Sequence, residues 1–84
     1  MYKLHISTKA KQQLKQIAKI ITKEAVISAL REIKEDPFLN KPLNQELSGK
    51  FTYKLGVYRI IYKVNKRDKT INVSAAGHRA TIYE

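Results

Sequence analysis

The 84-residue sequence predicts an α+β domain: an N-terminal strand, a helical hairpin, then an antiparallel sheet of three to four strands. Three observations carry that expectation. Apolar residues recur at helical spacing in the first half, β-branched and aromatic runs fill the second, and a segment holding both prolines separates them.

Tyr2-Lys3-Leu4-His5-Ile6 alternates and reads as a short strand. Ser7 or Thr8 can cap a helix by accepting from the free N–H groups of its first turn. Ala10, Leu14, Ile17 and Ile21 then form one apolar stripe, and Thr22 offers a break or second cap. Val26, Ala29, Leu30 and Ile33 make the stripe of a second helix, which should end before Asp36-Pro37 because proline disfavours helical geometry in the residue ahead of it. So short a connection makes the two helices an antiparallel hairpin. Residues 37–49 read as a connecting loop. Phe51–Leu55, Val57–Val64 and Ile71–Ala76 read as strands, Gly56 sits where a two-residue hairpin needs positive φ, and Thr81-Ile82-Tyr83 is read as a short edge piece. With no repeat or linker, residues 1–84 are expected to form a single domain.

Charge is the outstanding bulk property, with 17 Lys and Arg against 7 Asp and Glu and a net +10. Residues 1–23 carry six lysines and no acid, whereas residues 24–46 hold five of the seven acids. Such asymmetry attracts polyanions, either nucleic acid or an acidic protein. Cysteine is absent, which excludes disulfides and thiolate metal sites; no run approaches a membrane span, and the N-terminus lacks the pattern of a signal peptide. The expectation is a cytoplasmic protein without membrane contact.

The chemistry gathers late in the chain. Lys50, Lys54, Arg59, His78, Arg79 and Tyr83 fall in the block predicted to be sheet. Alternation puts Phe51, Tyr53, Leu55, Tyr58, Ile60, Tyr62 and Val64 under the helices. Lys50, Lys54, Arg59 and Lys63 then share the other face, where Gly77-His78-Arg79 can deliver His78 or Arg79. Separately, Lys11, Lys15, Lys19 and Lys23 stand four apart as a ridge on the first helix. Each like-charge pair costs the helix about 0.2–0.5 kcal/mol, which favours a polyanionic partner. His5 and His78 are far apart and the acids do not cluster, so neither a metal nor another cofactor is expected. Metal-free cleavage of RNA suits these residues: the 2′-hydroxyl attacks, a side chain takes its proton, cations stabilise the phosphorane and a donor protonates the leaving 5′-oxygen.

Leu47-Ser48-Gly49, Tyr53-Lys54-Leu55-Gly56-Val57-Tyr58-Arg59-Ile60-Ile61-Tyr62 and Gly77-His78-Arg79-Ala80-Thr81-Ile82-Tyr83 resemble the RelE/ParE superfamily of toxins from toxin–antitoxin pairs, RelE-like branch. The resemblance implies a RelE-like fold and a ribosome-dependent endonuclease that enters the A site of the 70S ribosome and cuts mRNA there. Arg59 would stabilise the scissile phosphate, Arg79 would supply charge or act near the leaving group, and Tyr83 would stack on the base or act as general base. Lys50 and Lys54 match backbone-binding cations, and His78 stands where some relatives carry a catalytic histidine. Thr52 replaces a further lysine of the best-known branch, and Val57 an acid often seen before the Tyr-Arg pair.

The implied partner is a cognate antitoxin whose acidic or amphipathic segment covers the basic site, a monomeric toxin joining it in a hetero-oligomer. Two other functions compete. A ParE-like gyrase inhibitor shares the fold but binds without catalysis. A small nucleic-acid-binding protein would use the Lys11, Lys15, Lys19 and Lys23 ridge through phosphate contacts alone.

Overall fold

The computed structural model describes residues 2–38, 41–42 and 50–82. Its elements run β1 (Lys3–Ile6), α1 (Thr8–Ile20), α2 (Lys23–Glu35), β2 (Lys41–Pro42), β3 (Lys50–Leu55), β4 (Tyr58–Asn65) and β5 (Thr70–His78). Leu47-Ser48-Gly49 and Tyr83 lie outside the described residues.

Both caps form as the sequence predicts. Ser7 Oγ accepts from the Ala10 N–H at 3.0 Å and Thr22 Oγ1 from the Ala25 N–H at 3.0 Å. The stripes bury Ala10, Leu14 and Ile17 on α1 and Val26, Ala29 and Ile33 on α2. Ile21 departs from the expected stripe. It is the residue that ends α1, 36% exposed, because the chain turns there toward α2. The same turn places Lys23 on α2, so the lysine ridge of α1 holds three residues and not four.

The sheet order is β1-β5-β4-β3-β2. The expected meander is present, with β3–β4 and β4–β5 antiparallel, and β1 joins β5 in parallel after the helical crossover. Lys41–Pro42, expected as loop, forms a two-residue strand on the outer side of β3. Proline lacks a ladder donor and is tolerated there because the position is an edge. Thr81 and Ile82 form a turn where an edge strand was expected, their N–H groups both donating to the His78 carbonyl, at 3.0 and 2.9 Å.

Both helices pack on one face of the sheet. Their stripes meet Ile60, Tyr62, Val64, Ile71, Val73 and Ala76 in a single core, with Phe51, Tyr53, Leu55 and Tyr58 packed around it, the face expected from alternation. Tyr62 is fully buried, stacks on Phe51 at 5.5 Å and donates its hydroxyl to the Pro37 carbonyl at 2.6 Å. That bond ties β4 to the end of α2.

One irregularity decides the opposite face. Ile61 pairs with Ala75 and Tyr62 with Val73, so Ser74 is an extra residue on β5. A bulge of one residue exchanges the faces of everything beyond it. Gln13 Oε1 on α1 accepts from the Ala76 N–H at 2.9 Å, and Ser7 N–H donates to the Val73 carbonyl at 3.0 Å, so α1 is fastened to β5 on either side of the bulge.

Candidate functional site

The helix-free face of the sheet carries the cations. Cross-strand register puts Lys54 beside Arg59 and Arg59 beside Gly77. Four residues along, Lys50 pairs with Lys63, Lys63 with Asn72 and Asn72 with His5. Each of the first two rows' leading pairs sets like charges directly opposite, an arrangement that destabilises a sheet unless an anion lies between them. The described acids are elsewhere: Glu24, Glu32 and Glu35 on α2, Asp36 at its end and Asp68 in the turn after β4. Among the described residues this face is therefore cationic without internal neutralisation.

Arg59 is half-buried and held. Its Nη1 donates to the Gly56 and Tyr58 carbonyls, both at 2.8 Å. Gly56 has φ +62° and is the only positive-φ residue of the two-residue turn, the geometry of a II′ hairpin, in which glycine is the residue that adopts this φ freely. The turn thus presents a carbonyl that fixes the guanidinium, and two of the five donors of the fork are directed by the fold.

Arg79 is brought to the same end of the sheet. Its backbone N–H donates to the Val57 carbonyl at 2.8 Å, and its side chain is exposed. The turn that follows folds back over the sheet: a Cβ built on Gly77 would lie 3.1 Å from Ile82 Cδ1. Gly77 shares its face with Arg59, so Ile82 packs on the cationic face.

His78 is placed differently. It pairs with Tyr58 on the helix side and meets that ring edge-on at 5.8 Å. Its Nδ1 accepts from the Ala80 N–H at 3.0 Å, which closes the turn that positions Arg79. The Ser74 bulge causes this. Unbroken alternation from Ile71 and Val73 would set His78 on the face of Arg59.

Lys11, Lys15 and Lys19 are exposed on α1, in the other layer. Lys15 and Lys19 border a groove of about 580 Å³ with Gln12, Gln16, Ala18 and Lys23 at the bend of the hairpin. The structure therefore unites Lys54, Arg59 and the Arg79 backbone, sets Lys50 one row away, and separates the helical lysines and His78 from them. Lys63 was absent from the expected site residues, although alternation had already placed it with Arg59.

Tyr53 is pushed up to about 12, by burial first and then by its 2.9 Å hydrogen bond to Glu32 Oε2 and the charge of that carboxylate. Among the described residues no group of three or more His, Cys, Asp or Glu could hold a metal ion, and no helix is long and apolar enough to cross a membrane.

A helical hairpin on one face of a mixed sheet and basic residues on the other define a small toxin class, and the chain belongs to the RelE/ParE superfamily of type II toxin–antitoxin toxins. The family described as ParE toxin of type II toxin-antitoxin system, parDE, matches residues 4–83. Toxin RelG of Mycobacterium tuberculosis is 30% identical over 83 residues, covering 98% of this chain and 95% of the relative. The toxin–antitoxin complex RelBE2 of the same organism superposes with a TM-score of 0.76 at 28% identity, over 93% of this chain and 98% of that one. The isolated RelE toxin of E. coli shares the fold, with a TM-score of 0.76 at 22% identity over 99% of this chain and 92% of that one.

Proposed function

We propose that this toxin is a metal-independent endoribonuclease that cuts mRNA in the ribosomal A site, held inactive by a cognate antitoxin. The observation that carries the reading is the Lys54–Arg59 pair on a face with no acid among the described residues, with Arg79 anchored to the adjoining turn. Arg59, its fork already directed by two carbonyls, meets the scissile phosphate. Lys54 adds charge beside it, and Arg79 serves the leaving-group side. The 2′-oxygen forms a bond to phosphorus, the bond to the 5′-oxygen breaks as that oxygen takes up a proton from solvent, and the products are a 2′,3′-cyclic phosphate and a 5′-hydroxyl. Tyr83 takes the 2′-hydroxyl proton or stacks on the base. His78 acts as a positioning residue that closes the turn under Arg79. Lys50, Lys11, Lys15 and Lys19 contribute phosphate contacts outside the reacting centre.

On this reading residues 1–84 work as one domain in the cytoplasm, a monomer that joins its antitoxin in a hetero-oligomer. The similar structures that are toxin–antitoxin complexes support such a partner, and the net +10 suits an acidic one. A gyrase inhibitor is the second reading, favoured by the match to the ParE family.

The test is cleavage of a defined mRNA in a purified translation system, mapped by primer extension, with Arg59→Gln, Arg79→Ala and Tyr83→Phe beside the parent protein. A-site cuts weakened by all three are expected, with Arg59→Gln costing about 10²–10³-fold in rate. An intact message together with inhibited DNA supercoiling would overturn the nuclease and support the gyrase reading.

A further inference from the structure

The second cationic row calls for its own explanation. Lys50, Lys63, Asn72 and His5 lie side by side on β3, β4, β5 and β1, and all but the half-buried Lys50 are exposed. The row contains a like-charge pair opposed across strands and, among the described residues, no acid. It stands four residues from the Lys54–Arg59 pair, about 13 Å along the strands. Thr52 and Ile61 lie between the two rows and are only 7% and 8% exposed, so the charge falls in two separate bands across an uncharged divide.

We propose that Lys63, with Lys50, Asn72 and His5, binds phosphates of the single-stranded RNA a few nucleotides away from the scissile bond. The inference rests on the endoribonuclease reading and extends it, assigning the second band to the same strand that Arg59 engages. Charge complementarity selects the occupant. Two ammonium groups set opposite each other repel until a polyanion lies across them, and a phosphodiester backbone presents charges at regular intervals along its length. Asn72 and His5 extend the row with hydrogen-bonding groups suited to phosphate oxygens and ribose hydroxyls. A lysine at position 63 thereby supplies a backbone cation on a face where position 52 is threonine.

The experiment measures binding of two fluorescently labelled single-stranded RNAs across a salt series. One RNA is a dinucleotide that reaches only the Arg59 band, and the other is long enough to cross both. The proteins are the parent, Lys63→Gln, Arg59→Gln and, as a control on the helical layer, the exposed Lys34→Gln on α2. For the long RNA, Lys63→Gln should weaken binding about three- to tenfold and flatten the slope of log K against log salt by about 0.7. The dinucleotide should bind it as it binds the parent. The same substitution relieves the repulsion with Lys50, so the variant should unfold at an equal or higher denaturant concentration, an effect opposite in sign to the loss of binding. If Lys63→Gln and Lys34→Gln lose equally, or if the dinucleotide loses as much as the long RNA, the second band is overturned while the Arg59 site stands. If Arg59→Gln also leaves both RNAs unaffected, the RNA reading falls, and this inference with it.

Discussion

Tyr62 ends the Tyr-Arg-apolar-apolar-Tyr motif, and its position makes a testable claim about which motif residues serve the fold. Tyr62→Phe keeps the ring stacked on Phe51 and removes only the hydroxyl that donates to the Pro37 carbonyl at 2.6 Å. Pro37 is buried, so no water replaces the lost donor and the carbonyl keeps its full desolvation cost. Leaving a buried acceptor unpaired costs about 1–3 kcal/mol. At about 2 kcal/mol the melting temperature of so small a domain falls by about 8–16 °C. Urea unfolding followed by circular dichroism should show the midpoint dropping at constant m, because the surface exposed on unfolding is unchanged. Cleavage of mRNA, assayed well below the transition, should match the parent, since Tyr62 lies under the helices and Arg59 on the opposite face. A stability equal to the parent's would refute the structural role. A folded variant with impaired cleavage would show that this tyrosine takes part in the chemistry.

Further substitutions probe the site's supports. Gly77→Ala places a Cβ 3.1 Å from the flexible end of Ile82 and should keep near-parent cleavage. Gly77→Val pushes the turn off the sheet and should lose at least about tenfold while remaining folded by circular dichroism. Lys69 has φ +53°, so Lys69→Gly should raise stability by about 1 kcal/mol, read from the urea midpoint; an unchanged or lower midpoint argues that the turn carries no strain. Tyr53 is held neutral in the fold to about pH 12, above its ordinary value near 10, so the unfolded chain releases this proton first as pH rises. Its contribution is thus complete below about pH 10 and fades between 10 and 12. Tyr53→Phe should flatten that alkaline limb of a stability–pH profile, and an identical limb would refute the Glu32 pairing.

The elements of the fold were legible because each rests on a local rule. Ser7 and Thr22 cap where a hydroxyl precedes an apolar stripe, α2 stops before Asp36-Pro37, and Gly56 turns the hairpin. The sheet's core face followed from alternation alone, and the Lys50, Lys54 and Arg59 face with it. What escaped was non-local. Ser74 is an ordinary strand residue in sequence, and only the mismatch between two strand lengths makes it a bulge, so the face of His78 was not legible. The parallel pairing of β1 with β5 depends on a partner sixty-odd residues away, and Lys41–Pro42 is too short for any period to register. The Lys50–Lys63 pair was missed for a simpler reason: each lysine is unremarkable alone, and the register makes them opposed.

The place of β5 also bears on how the protein is made. This strand lies between β1 and β4, yet residues 70–78 are synthesised after both of its neighbours. Lys3 must wait for Thr70 before β1 has anything to pair with. Pairing across such a separation closes late, because the loop entropy is lost before any contact repays it. Until β5 leaves the ribosome, Ile60, Tyr62 and Val64 have no completed sheet around them, and Gly77 and Arg79 are not yet beside Arg59. Strand order thus acts as a timer: the β3–β4 hairpin can pair its cations early, but a nascent chain cannot set Arg79 beside Arg59 while β5 is still inside the machine translating it.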